Sequence, residues 1–96
     1  MKKLIYIAAL TATLTQLVAT PLFNSCKSCH GATGEKVAMG KSKVISDLNA
    51  TQIESALQGY KDGTYGGTMK ALMRGQVMRL SAEDIKTLAE YIPTLK

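Results

Sequence analysis

Both cysteines and the one histidine of the chain fall within a single short run, Cys26-Lys27-Ser28-Cys29-His30, with Gly31 behind it. Four chemistries could use that spacing. A disulfide would close a very small loop, where a bridge restricts the unfolded chain least, and would leave His30 without a role. A redox dithiol calls for alternating strand and helix around the motif, and no such alternation is present. Zinc wants four donors, whereas two Cys and one His supply three, with no further Cys or His in the chain. Covalent attachment of haem c uses all three side chains. The thiols add to two vinyl groups as thioethers, and the adjacent imidazole is carried under the iron as the proximal ligand. Gly31 then allows the backbone to turn away close to the ring without a Cβ in the way.

One imidazole fills one axial position, so the other needs a different donor. A thioether is soft and raises the potential of an electron-transfer haem. The chain has five Met, of which Met1 is the initiator. Met at helical spacing is commonly core filler, so position must discriminate among the rest. Met39 follows His30 closely, and its loop should wrap the proximal side. Met78 lies just before a helix cap at Ser81. Met69 and Met73 share one helix face, and Met73 has slack before that cap, which ranks Met73 first with Met69 and Met78 as alternatives. With both axial positions filled, the iron offers no open site, and one-electron transfer is favoured over catalysis. The alternatives are a haem enzyme whose Met detaches to admit a small substrate, and a haem subunit docked permanently in a larger complex. No second His is present to build a distal acid–base pair for the enzyme.

These side chains need short helices to position them. Thr20-Pro21 reads as a cap followed by Pro at the first helical position, and Leu22, Phe23, Cys26 and Cys29 then follow at helical spacing. Residues 31–50 are irregular and glycine-punctuated, with a helical turn expected around Ser42–Asp47. Thr51-Gln52-Ile53-Glu54 reads as a capping box opening a helix with Ile53, Ala56, Leu57 and Tyr60 on one face. A turn-rich stretch containing Tyr65 follows, then a short helix over about 68–77 with Met69, Met73, Val77 and Leu80 in a stripe. Ser81-Ala82-Glu83-Asp84 opens the last helix, whose inner face is Ile85, Leu88, Ala89 and Ile92 and which Pro93 ends. Asn49-Ala50-Thr51 has the form of a glycosylation acceptor, but a helix cap is the better reading of it. The expected architecture is all-α with about four helices.

The chain has 96 residues, which allows one small domain, and only 5% are aromatic. Met1-Lys2-Lys3 and the apolar run Leu4 to Ala19 read as a secretory signal peptide. The run is shorter than the roughly 20 residues of a spanning helix. Cleavage is expected after Ala19, with Ala12 a weaker site; an uncleaved anchor, and with it membrane association, is the alternative. Residues 20–96, 77 of the 96, then form the domain. So small a chain usually needs a staple, and a large apolar ring tied by two thioethers and two axial bonds is one. Export also fits, because bacteria attach haem c outside the cytoplasm, and the expected location is the periplasm. Without Lys2 and Lys3 the 12 basic residues become 10 against 7 acidic ones, too weak and dispersed a surplus for nucleic acid. Lys61, Lys70, Arg74 and Arg79 cluster around the expected distal ligand, either as solvated surface or as a rim that steers acidic partners.

The motif after a short Leu-Phe helix, a distal Met late in the chain and a C-terminal helix with Tyr91 resemble the class I c-type cytochromes. The likeness is greatest to the small bacterial cytochrome c-553 group. Leu22-Phe23-Asn24-Ser25-Cys26-Lys27-Ser28-Cys29-His30-Gly31 is similar to that group's haem segment, and Gly59-Tyr60-Lys61-Asp62-Gly63-Thr64-Tyr65-Gly66-Gly67 to its tyrosine- and glycine-bearing stretch. Lys70-Ala71-Leu72-Met73 is similar to the segment ending in its axial Met. The resemblance covers about residues 20–96. It implies one haem c on Cys26 and Cys29, with His30 and Met73 as iron ligands and Tyr60 and Tyr65 near the ring. It also implies a small class I fold acting as a monomer. The partners implied are redox proteins such as a membrane cytochrome complex, a terminal oxidase, a peroxidase or a dehydrogenase. One feature departs from the group's wider class: no Pro stands between Pro21 and Pro93 to orient the histidine through its carbonyl. A backbone carbonyl between Lys36 and Lys43 is expected to accept from His30 Nδ1 instead.

Overall fold

The computed structural model describes residues 18–40 and 43–96, apart from the Met39 side chain. The apolar run of the expected signal peptide falls largely outside the described residues. Four α-helices and three 3-10 turns, with no strand among the described residues, make the all-α fold. No described helix is long and apolar enough to cross a membrane.

Helix α1 is helical over residues 18–30 and carries the cysteine–histidine motif on its last turns. Phe23 is buried and meets the Tyr91 ring edge-on at 6.0 Å, which fixes α1 against the C-terminal helix. Residues 18–20 are already helical, so Thr20 is not a cap and Pro21 does not open the helix. Proline's fixed φ suits a helix, and only its missing N–H is lost. The Thr20 hydroxyl instead lies 3.3 Å from that of Tyr91.

The loop after α1 begins at Gly31, whose φ is +90°. A Cβ there would fall 2.2 Å from Glu35 Oε1, not in the space beside His30. Glu35 folds back because it accepts from both the N–H and the hydroxyl of Thr33. Gly31 therefore also makes room for the Glu35 side chain within the loop. The 3-10 turns Ala38–Gly40 and Ile45–Asp47 punctuate the connection, the second within the stretch expected to turn.

Helix α2 spans Ala50–Asp62, and its capping box is Asn49 with Gln52, two residues earlier than Thr51. Asn49 Oδ1 accepts from Gln52 N–H at 2.8 Å, and Gln52 Oε1 from Asn49 N–H at 2.9 Å. Asn is among the strongest N-caps, so the earlier polar cluster wins and Thr51 sits inside the helix. Gly63, left-handed at φ +81°, ends it. Helix α3 spans Lys70–Val77 and starts without a side-chain cap. Helix α4 spans Ala82–Tyr91 and opens with the expected Ser81–Asp84 box. Pro93 falls in the 3-10 turn Ile92–Leu95 that follows it.

The core lies where α2 packs on α4, with α3 against α2. Ile53, Leu57, Val77, Leu80, Ile85, Leu88, Ala89 and Ile92 form one cluster with Phe23. An exposed pair, Lys96 Nζ to Asp47 Oδ1 at 2.5 Å, joins the C-terminal turn to the Ile45–Asp47 turn. Exposed pairs of this kind add little stability.

Candidate functional site

A cavity of about 290 Å³ opens between the end of α1, the inner face of α2 and the α3 segment. Cys26, Cys29, His30, Tyr60, Tyr65 and Met73 all line it. Its remaining surface is mostly aliphatic, including Ile53, Leu57, Val77, Leu88 and Ile92, and no Asp or Glu lines it.

The helical register of α1 brings both cysteines and His30 to this wall. Neither thiol is bridged; Cys26 is half-buried and Cys29 exposed. Burial pushes the Cys26 thiol up, partly offset by a hydrogen bond with Ser25 and the charge of Arg79. His30 is 6% exposed, and burial holds its imidazole below the usual histidine range. It is therefore neutral near pH 7, the form that binds iron. Its Nδ1 is buried without a hydrogen-bond partner. Among the described residues, no carbonyl between Lys36 and Lys43 reaches it. That stretch instead donates Lys36 N–H to the His30 carbonyl and closes its own turn through Gly40 N–H on Val37.

The methionines separate by position. Met73 is half-buried and packs against the core cluster. Met69, the N-cap of α3, lines the same cavity. Met78 is 52% exposed and is not part of the lining. The side chain of Met39 lies outside the described residues.

Tyr60 and Tyr65 meet edge-on at 5.0 Å. Burial raises the Tyr60 phenol, with a smaller contribution from Tyr65. The pair exists because Gly66, at φ +110°, has no Cβ; one would lie 2.6 Å from Tyr60 Cε1.

Sequence reasoning did not single out Leu72, Gln76 or Lys43, which also line the cavity. Leu72 and Gln76 follow Met69 at helical spacing, and that periodicity was the available cue. Lys43 sits in irregular chain, where no periodicity exists. Of the four cations expected as a rim, Lys61 turns inward and donates to the Leu80 carbonyl at 2.5 Å.

The donor set suits haem c. Two thiols and an imidazole share one wall of an apolar cavity, with two thioethers on another element. No group of three His, Cys, Asp or Glu side chains among the described residues converges as a bare metal ion requires.

Comparison with known proteins identifies the family. The cytochrome c family model matches residues 19–96. Cytochrome c-553 of Helicobacter pylori (strain ATCC 700392 / 26695) is 42% identical over 99 aligned residues, covering 100% of both chains. The cytochromes c-553 of Nitratidesulfovibrio vulgaris (strain DSM 19637 / Miyazaki F) and Desulfomicrobium norvegicum (strain DSM 1741 / NCIMB 8310) are 43% and 48% identical. Those matches cover 77% and 72% of this chain and 72% and 84% of theirs. By sequence over nearly its whole length and by its helical fold, the chain belongs to the cytochrome c family, whose members bind haem c, and is an electron carrier of the c-553 kind rather than an enzyme.

Proposed function

We propose that the chain holds one haem c through thioethers at Cys26 and Cys29, with His30 as proximal and Met73 as distal ligand. In this role it shuttles single electrons between periplasmic or membrane-bound redox proteins. The observation that carries the proposal is the shared cavity, onto which α1 brings Cys26, Cys29 and His30 and α3 brings Met73. Bound haem supplies the Fe(II)/Fe(III) couple.

The chain's own residues do the rest. Burial keeps His30 neutral and available as a donor. Met73, held against the core, offers a soft thioether, which favours Fe(II) and raises the potential. The aliphatic lining excludes water, and Tyr60 and Tyr65 close one side. Exposed Leu72 leaves part of the rim open for contact with a partner. Residues 1–19 act as the export signal that brings the chain to the compartment where haem c is attached.

Expression with haem c maturation tests this. The exported product should lack residues 1–19 and gain the mass of one haem that acid–acetone does not extract. It should titrate as a single reversible one-electron couple. Haem that extracts freely, or a product with none, would refute the proposal.

A further inference from the structure

Sequence position groups Lys61 and Arg74 with the rim cations, but Lys61 turns inward, and Arg74, though exposed, lies beside the end of α2. Lys61 closes the last turn of α2 and is half-buried, and its ammonium donates to the Leu80 carbonyl at 2.5 Å. That carbonyl lies just past α3, where Met78 N–H bonds the Arg74 carbonyl and Leu80 N–H the Val77 carbonyl. Leu80 belongs to neither helix, lying between α3 and the Ser81 cap of α4, and the Lys61 ammonium supplies its part-buried carbonyl with a charged donor. The Leu80 side chain is buried, which fixes the acceptor in place.

Arg74, in the last turn of α3, is exposed on the side of α2. It lies over Gly63, the residue that ends α2; a Cβ there would be 3.7 Å from Nη1 and 3.9 Å from Cζ. Lys61 therefore ties the end of α2 to the chain between α3 and α4, and Arg74 stands beside the residue that ends α2. The segment tied between them, residues 61–80, carries Tyr65, Met69 and Met73, all on the cavity wall. The N-terminus of α3 has no side-chain cap, so the helix is held by Met73 and Val77 against the core and by the ties at its other end.

We infer that Lys61, with Arg74 beside Gly63, is a positioning residue for Met73, keeping the 61–80 segment closed over the cavity, and that Lys61 is not a cation that meets a redox partner. The inference rests on Met73 as the distal ligand. A charged donor on a part-buried carbonyl contributes more than an exposed ion pair. Lys61→Met keeps the methylene packing and removes the donor.

The test uses the oxidised holoprotein. The far-red iron–sulfur charge-transfer band is followed on heating, alongside far-UV circular dichroism of the helices. In Lys61→Met the band should fade roughly 5 °C or more before the helices melt, and Lys61→Arg should restore coincidence. The ionic-strength dependence of electron transfer to an acidic redox protein should match the parent. If Lys61→Met does not accumulate as holoprotein, Arg74→Met carries the same expectation for the band and the helices. Band and helices melting together in the variant as in the parent would overturn the inference. So would a reduced salt dependence with an unchanged band. Met73→Ala, run in parallel, reads the ligand separately. A band surviving Met73→Ala overturns the ligand assignment and the inference with it. A band lost there, with unchanged melting in Lys61→Met, overturns the inference alone.

Discussion

His30, Cys26 and Tyr60 show how burial in a small protein sets the state of individual side chains. Burial favours the neutral imidazole, the protonated thiol and the protonated phenol alike. For Tyr60 this has a measurable sign. A phenol whose folded pKa is raised stabilises the fold fully below about pH 10, the unfolded value. That stability is lost as pH rises through the folded value. In an ultraviolet difference titration of the holoprotein, Tyr60 should therefore ionise later than ordinary tyrosine. Tyr60→Phe should remove that late step and flatten the alkaline fall in stability; a titration unchanged by the substitution would count against the burial described for this ring. The chemistry-bearing residues themselves were legible in the sequence, because C-x-x-C-H compresses three ligating groups into one helical turn. The surroundings of His30 Nδ1 were not, since they depend on how a non-periodic loop folds back on itself.

At the scale of elements, the two capping boxes give matched expectations. Asn49→Ala and Ser81→Ala each remove a side-chain acceptor from an N-terminal amide and should cost about 1 kcal/mol. For a domain of this size that lowers the thermal midpoint by roughly 4–8 °C, measured by circular dichroism; Thr51→Ala should cost much less. The Ser81 box could be read directly from Ser-Ala-Glu-Asp. The α2 box was read two residues late, because Asn49-x-x-Gln52 and Thr51-x-x-Glu54 satisfy the same pattern and only the backbone turn before Ala50 decides between them. Gly66 offers a sharper test of the Tyr60–Tyr65 pair. Gly66→Ala must accept both a left-handed φ and a Cβ 2.6 Å from the Tyr60 ring, so destabilisation exceeding that of a Gly→Ala change at Gly67 is expected.

For the whole molecule, the proposed carrier function combined with a basic surplus and an exposed edge at Leu72 predicts that association with acidic redox proteins is steered by charge. With Lys61 turned inward, Lys70, Arg74 and Arg79 remain as the cations that the proposed function would use for steering. Lys70→Glu should slow bimolecular electron transfer and weaken its salt dependence in flash-photolysis kinetics, while Lys61→Met leaves that dependence as it is. The all-α order of helices and the size problem it solves were readable from periodicity and length. The inward turn of Lys61 was not, because a lysine at a helix end looks the same in sequence whether it meets solvent or a carbonyl nineteen residues away. The distal ligand is the point on which the electron-carrier mechanism depends, and one spectrum addresses it. The oxidised holoprotein should show the far-red iron–sulfur charge-transfer band, retain it in Met69→Ala and lose it in Met73→Ala. A band that survives Met73→Ala, or disappears only in Met69→Ala, would contradict His30/Met73 ligation.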